Sequence, residues 1–413
     1  MQRLFLGGTH PALHKETTRR KPAAELDRPA KEVYLALEGQ KPLVKAGERV
    51  LLGQKVAEPG TEEDTAVHAS VSGTVKEAGE RGILLENDGK DTPYKGNRPW
   101  DEKEPMTARA LAAFLREMGV MGMAAGDGAS LHKKLIEAAA APVDTLIING
   151  MECDPWHTAD HRLMLEESEA VAGGACILAE ALGLPKAILA VAGDKMDAVD
   201  ALEGIADGNE RLEVRVLRSR YPLGEERILT QALTGRKVPP DGKPAAVKCA
   251  VFNVATASAV YDAVKNGNPV THRIITVTGT AVVKPRNLLV PIGTSVEELV
   301  RSCGGLKKGA IRGYWGNPMR FPKLSDAGES VGKSSAAIVL MRGKDVPKRK
   351  EGRTCIRCGA CVEACPMKLL PLFAETGEEG ERGDCVGCGA CENACPAVLP
   401  LREKMHGRKG EAR

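Results

Sequence analysis

Residues 355–366 read CIRCGACVEACP and residues 385–396 read CVGCGACENACP. Each dodecamer spaces four cysteines as Cys-x2-Cys-x2-Cys-x3-Cys and closes on a proline. Zinc sites normally use separated Cys-x2-Cys pairs, two pairs per metal. Four cysteines in one run ahead of a proline suit a different geometry. Three thiolates wrap one iron–sulfur cube from a tight loop, and the fourth reaches the other cube. On that rule one 4Fe-4S cluster takes Cys355, Cys358, Cys361 and Cys395. The second takes Cys385, Cys388, Cys391 and Cys365. The small pairs Gly359–Ala360 and Gly389–Ala390 let backbone N–H groups approach the sulfides. The region is expected to be a two-cluster ferredoxin module that carries single electrons.

The rest of the composition fits this. The 413 residues suggest two to four domains. Apolar residues make up 43% and charged residues 27%, as in packed globular proteins. Net charge is only +3 and aromatics only 3%, which argues against a nucleic-acid-binding surface. The opening MQRLFLGGTHPALHK has too short an apolar core for a signal peptide. The most apolar window, ACILAEALGLPKAILAVAG, carries Glu180, Pro185 and Lys186 and reads as a helix then a strand, not a membrane span. A cytoplasmic chain is expected, or one held at the inner face of the membrane through partner subunits. In a reducing compartment the 12 cysteines are not expected to pair as disulfides. Cys176, Cys249 and Cys303 read as core or structural residues.

Upstream, the patterning changes three times. Residues 1–97 alternate like short strands around turns, in KPLVKAGERVLLGQKVAE and AVHASVSGTVKEAG. They are similar to the halves of a lipoyl-like barrel-sandwich hybrid without its modification turn. Residues 98–250 alternate helices and strands: MTARALAAFLREMGVMG, VDTLIING, HRLMLEESEAVAGGACILAEALG, KAILAVAG, RLEVRVLRS and EERILTQALTG. This predicts a doubly wound, Rossmann-like α/β sheet whose ligand site lies beyond the strands' carboxyl ends. NGMECDPW and YPLGEE fall there. Residues 251–340 return to short strands, including AVFNVATASAVYDAV, and suggest a β-grasp domain. Residues 341–354 form a basic linker, 355–400 the ferredoxin module and 401–413 a basic tail.

The order of these parts resembles the RnfC family of the Rnf electron-transport complex. That family includes the RnfC-like electron-transfer protein associated with proline reductase. The matching stretches are GGTHP (7–11), HASVSGTV (68–75), LIINGMECDP (146–155), DHRLML (160–165), YPLGEE (221–226), NVATA (253–257), VTGTAV (277–282) and the cysteine runs. The α/β and β-grasp parts also look like the NADH-oxidising flavoprotein subunit of respiratory complex I, with an SLBB-type β-grasp. The resemblance implies FMN in the α/β domain and NADH as its redox partner. By position, Asn149, Glu152 and Asp154 would line the flavin pocket. Tyr221, Gly224, Glu225 and Glu226 would form its opposite wall, and Asn253 and Thr256 would approach the flavin phosphate. Gly126, Gly128, His132 and Lys134 match the family's glycine-rich loop. Partners would be other redox proteins or membrane subunits of an electron-transfer complex.

That loop departs from the family. GMAAGDGASLHKKL has Ala124–Ala125 where paired glycines are usual, lacks the Phe-Pro step, and adds Asp127. Alanine methyls crowd a phosphate-cradling backbone, and Asp127 opposes a pyrophosphate. RGYWGNPMRF (312–321) also replaces a Gly-Gly-Pro-Met step. The expectation is that FMN binds and NADH is handled poorly. Plainer readings stand beside the functional ones. Glu225–Glu226 also suit a helix first turn, and Asp154–Pro155 an ordinary turn. Cys153 is packed beneath the pocket or reactive. His10, His68 and His132 have no metal spacing and read as structural. Two functions follow: an iron–sulfur flavoprotein passing electrons from NADH or another donor through FMN and two clusters to a partner protein, or a ferredoxin-type adaptor with a degenerate flavin pocket.

Overall fold

A computed structural model describes residues 7–124, 130–320, 323–326, 328–346, 353–376 and 384–406. The candidate loop residues Gly126 and Gly128, and Asp127 between them, lie outside the described residues.

The N-terminal barrel is two small antiparallel sheets packed face to face. One orders the strands Glu32–Ala36, Gly82–Asn87, Gly73–Gly79 and Arg49–Val50, and the other Lys41–Pro42, Lys55–Glu58 and Val67–His68. Alternation does the work: Val33 and Leu35 point inward while their neighbours face water. The barrel shares one apolar core with the β-grasp sheet, through residues such as Leu85, Ile275 and Leu288. That second sheet orders Ala24–Glu25, Arg286–Pro291, His272–Thr278, Ala337–Arg342 and Ile311–Trp315. Its edge strand Ala24–Glu25 therefore comes from the N-terminal segment.

The α/β domain is a four-stranded parallel sheet ordered Leu212–Leu217, Ala187–Ala192, Thr145–Gly150, Cys249–Asn253. The expected boundary after residue 250 falls inside its last strand. AVFNVATASAVYDAV is thus no run of short strands. Asn253 ends the strand and accepts the Ala255 N–H, capping the helix Val254–Tyr261. The small faces of that helix pack on Ser168–Ala181, where a Cβ on Gly174 would stand 1.8 Å from the Ala257 carbonyl. The long helix expected over HRLMLEESEAVAGGACILAEALG breaks at Glu167 into Ala159–Glu166 and Ser168–Ala181. Glu167 leaves the helical region, and its carboxylate accepts from Ser258 Oγ at 2.7 Å.

The ferredoxin module repeats itself. Ala360–Ala364 with Pro371–Thr376 mirrors Ala390–Ala394 with Leu401–His406. Gly359 and Gly389 occupy equivalent left-handed positions, at φ 79° and 75°. Their surroundings differ. A Cβ on Gly389 would lie 2.3 Å from the Met319 carbonyl oxygen, whereas one on Gly359 meets nothing within 4 Å. The Gly389 turn of the second run is docked against the body of the protein, and the Gly359 turn of the first faces outward. Gly359→Ala should therefore cost about 1 kcal/mol for its φ alone, and Gly389→Ala at least about 2 kcal/mol more. Thermal unfolding of the two variants checks this. Equal losses would refute the docking contact.

No helix among the described residues is long and apolar enough to cross a membrane.

Candidate functional site

The carboxyl ends of Thr145–Gly150 and Cys249–Asn253 open into a cavity of about 290 Å³. Its walls bring together Lys134, Asn149, Glu152, Asp154, Gly224, Glu225, Glu226 and Asn253, all singled out by motif. A larger cavity of about 510 Å³ lies between the barrel, the helix Val254–Tyr261 and the segment 266–274. Of the motif carboxylates, Asp160 borders both.

Asn149 ties the two walls of the smaller cavity together. Its Nδ2 donates to the Gly224 carbonyl at 2.8 Å, and its Oδ1 accepts the Met151 N–H at 3.1 Å. Glu225 is both a wall residue and the cap of Glu226–Thr234, accepting from Arg227 N and Ile228 N at 3.1 Å. The helix-start reading and the wall reading of this residue are one and the same. Burial nonetheless holds its carboxyl above the usual range. Glu226 pairs with Lys134 at 2.7 Å, and the ammonium lies 5.7 Å from the Phe252 ring centroid. Asn253 Nδ2 donates to Asp160 Oδ2 at 2.7 Å. Asp154 accepts from Asn317 Nδ2 at 3.0 Å, so the altered GNPM step supplies a contact of its own.

Glu152 is the most constrained wall residue. Its φ is 37°, in the left-handed region that bulky residues avoid. Its Oε1 accepts the Asp160 N–H at 2.7 Å, while Oε2 is buried without a hydrogen bond. Burial lifts its carboxyl to about 7, against the pull of Lys15 and Lys195. Neither lysine is part of the motif-derived wall. Lys15 arrives from the GGTHPALHK segment, a link invisible without the fold.

Two expected wall residues stand off the cavity. Thr256 is buried, with its hydroxyl accepting the Met123 N–H at 2.9 Å, so it holds the entry to the glycine-rich loop. Tyr221 is 1% exposed and lies behind the wall, in an apolar cluster with Cys153, Cys388 and Ala390. Its hydroxyl donates to the Cys388 carbonyl at 2.5 Å. Cys153 lines the cavity, accepts the Gly224 N–H at 3.2 Å, and has its thiol pushed up to about 12 by burial. It is a packed thiol, poorly suited to nucleophilic chemistry. His132 Nε2 meets the Glu62 carbonyl, and burial lowers His68 to about 3, which holds it neutral.

The cysteines divide into two neighbourhoods that mix the runs. Cys361 lies in the electrostatic range of Cys355 and Cys395. Cys388 and Cys391 lie in that of Cys385 and Cys365. Leu369 N–H donates to Cys365 Sγ at 3.3 Å. Among the described residues no three such side chains meet closely enough to hold a single metal ion. The grouping of the sulfurs is what points to clusters. More anchors fasten the second neighbourhood. Arg227 pairs with Asp384 at 2.8 Å, next to Cys385, and Arg402 Nη1 donates to the Met319 carbonyl at 3.5 Å.

A parallel sheet with a polar strand-end cavity, backed by a two-run cysteine module, defines an iron–sulfur flavoprotein of electron transfer. Matches to family models cover the chain in order: the RnfC barrel sandwich hybrid domain over 3–90, the Nuo51 FMN-binding domain over 115–262, the SLBB domain over 274–321 and the 4Fe-4S dicluster domain over 354–398. A subunit of the proton-translocating ferredoxin:NAD(+) oxidoreductase complex of Clostridium ljungdahlii is 35% identical over 388 residues, 90% of this chain and 83% of the relative. The corresponding subunit of the Na(+)-translocating complex of Acetobacterium woodii is 33% identical over 381 residues, 89% and 86%. An NAD+-reducing NiFe hydrogenase, air-oxidized, superposes with a TM-score of 0.48 at 21% identity over 69% of this chain and 53% of that chain. This chain belongs to the RnfC family.

Proposed function

We propose that this chain passes electrons between a nicotinamide cofactor or a redox partner and a membrane-bound partner complex, through FMN and two 4Fe-4S clusters. The observation that carries the reading is one unbroken buried contact. Cys153 lines the cavity, Tyr221 packs on Cys153, and Tyr221 donates to the Cys388 carbonyl. The two relatives are subunits of ion-translocating ferredoxin:NAD(+) oxidoreductase complexes, which supports a peripheral place at a membrane for this chain too.

The residues fit the cofactors. The cavity lies near the lower end of the range for small-molecule sites, roughly 300 Å³. It offers a buried, unbonded Glu152 oxygen, the amide of Asn149 and, at Gly224, a wall with no side chain to obstruct a ring. Bound flavin would supply the exchange of a two-electron hydride for single electrons. Asn149, Gly224 and Glu225 would hold it, and Lys134 at the rim would face its phosphate side. Cys385, Cys388, Cys391 and Cys365 would hold the cluster beside the cavity. Cys355, Cys358, Cys361 and Cys395 would hold the outer one, with exposed Cys358 marking the exit face. The order is then flavin, second-run cluster, first-run cluster, partner.

Titration of the apo-protein with FMN tests the reading. Tight flavin binding, and cluster bleaching on reduction of the bound flavin, are expected. A chain that takes no flavin while keeping both clusters would favour the adaptor reading instead. NADH should reduce the flavin slowly. Ala124 stands in the cavity wall where a glycine would let a phosphate approach, and no Phe-Pro platform follows it. A lost stacking surface costs about 1 kcal/mol. Stopped-flow mixing checks this, and rapid reduction at micromolar NADH would refute the weakened dinucleotide site.

A further inference from the structure

The segment Gly7–Lys21 crosses the molecule as a strap. A Cβ on Gly7 would stand 3.0 Å from Pro366 Cα, so the strap begins against the second-run cluster region. Thr9 and Tyr221 exchange backbone hydrogen bonds at 2.9 and 3.2 Å. His14 stacks on Trp156 with ring centroids 4.0 Å apart. Thr18 Oγ1 accepts from Thr158 Oγ1 at 2.8 Å, and its carbonyl accepts from Asn287 Nδ2 at 3.0 Å. Between these anchors the strap drives Lys15 into the interior.

Lys15 is 3% exposed. Its ammonium donates to the Glu152 carbonyl and lies 4.0 Å from Glu152 Oε2. Lys195, 1% exposed, donates to the adjoining Met151 carbonyl at 2.8 Å and pairs with Asp194 at 3.1 Å. Two ammonium groups are thus fastened to consecutive carbonyls, directly behind the cavity wall. Burying a lysine head group is costly, and few lysines are found so placed without a partner. Glu152 is an imperfect partner, since burial raises its carboxyl towards the neutral form. The other charges facing this wall are Asp160, Asp154, Arg273 and Arg320. The strap brings a second amine to where Lys195 already stands; burial and Lys195 lower its value, while Glu152, Asp194 and Cys153 act the other way to keep it charged.

We propose that Lys15 is a positioning residue of the redox site: with Lys195 it forms a fixed cationic wall that favours the reduced flavin over the oxidised one. The inference rests on the flavin reading above. Reduction adds two electrons and one proton to the ring and leaves it with one extra negative charge. A positive wall in a medium of low dielectric stabilises that charge and holds the reduced form more tightly.

The test is the midpoint potential of FMN bound to the full chain, for wild type, Lys15→Arg, Lys15→Met and the double variant Lys15→Met with Glu152→Gln. The double variant replaces the Glu152 carboxyl, which burial pushes towards the neutral form, by a neutral amide of the same shape, so that Lys15 supplies the charge removed in both variants. Both charge-removing variants should lose roughly tenfold of the preference for reduced over oxidised flavin, which is about 30 mV downward for a two-electron couple. Lys15→Arg should stay within threefold of wild type. Potentials unchanged in both charge-removing variants would overturn the proposal. So would loss of flavin binding in the double variant while Lys15→Arg binds, since Lys15 would then only build the cavity. A wild-type chain that binds no FMN would sink the flavin reading itself, and the inference with it.

Discussion

Replacing Cys365 with serine is expected to remove about half of the iron, and the half that goes is the cluster of the second cysteine run. Two cubes with four thiolates each should give about eight iron atoms per chain, falling to about four. The reason is spatial. Cys365 belongs to the first dodecamer in sequence, yet its thiol neighbours are Cys385, Cys388 and Cys391. It is buried, packs with Leu369 and Met405, and already accepts an N–H from Leu369. A serine oxygen is shorter and harder than a thiolate, and it cannot reach the same iron from a helix end fixed by those contacts. Cys395→Ser is the mirror experiment and should remove the first-run cluster. The two variants should also differ in electron delivery. With Cys395 changed, bound flavin should still reduce the remaining cluster. With Cys365 changed, the cluster beside Tyr221 is gone and reduction of the outer one should slow by orders of magnitude. Electron paramagnetic resonance of each variant decides the matter. A second-run signal that survives Cys365→Ser, with the first-run signal lost, would reverse the ligand sets.

The dicluster module was legible in the sequence because the spacing of each cysteine run is local chemistry, set within a dozen residues. The parallel sheet was legible for a similar reason. Runs such as LIING and AILAVA are buried on both faces, and buried strands are apolar throughout. That Asn149, Glu152, Asp154, Gly224, Glu225, Glu226 and Asn253 line one cavity was reachable because ligand cavities in such sheets lie beyond the strands' carboxyl ends. What escaped depends on contacts between distant segments. Tyr221 belongs to the same YPLGEE stretch as the wall residues, yet its side chain turns the other way, toward a carbonyl 167 residues further on. Lys15 meets Glu152 across 137 residues. No periodicity in either segment carries that information. The misplaced boundary near residue 250 has another cause. Val, Ala and Ser in VFNVATASAV suit strand and helix alike, and only the Asn253 cap and the close approach at Gly174 decide for helix.

Gly224→Val is expected to abolish practical flavin binding, a loss of at least about 100-fold or about 2.7 kcal/mol, while the iron content stays near that of the wild type. Gly224 lies where the cavity wall turns from YPLG into the helix, with its carbonyl held by Asn149 and its N–H directed at Cys153 Sγ. No unusual backbone angle requires glycine here; the constraint is space. A Cβ would lie 3.0 Å from Cys153 Sγ and 3.1 Å from Met151 Cβ. Alanine could be admitted if those neighbours give a few tenths of an ångström, and should cost about tenfold in affinity. Valine adds two methyl groups on a stiff χ1. Met151 is 0% exposed and cannot withdraw, so the methyls must enter the cavity and take the volume that flavin needs. The clusters are held by thiolates on the far side of Tyr221 and should survive. Isothermal titration with FMN, alongside iron analysis of the same samples, reads both quantities. A valine variant that binds FMN within threefold of wild type would show that the cavity is not the flavin site. Iron lost together with flavin would show that the substitution acts through Cys153 and Tyr221 on the neighbouring cluster, so that cavity and cluster are not separable sites.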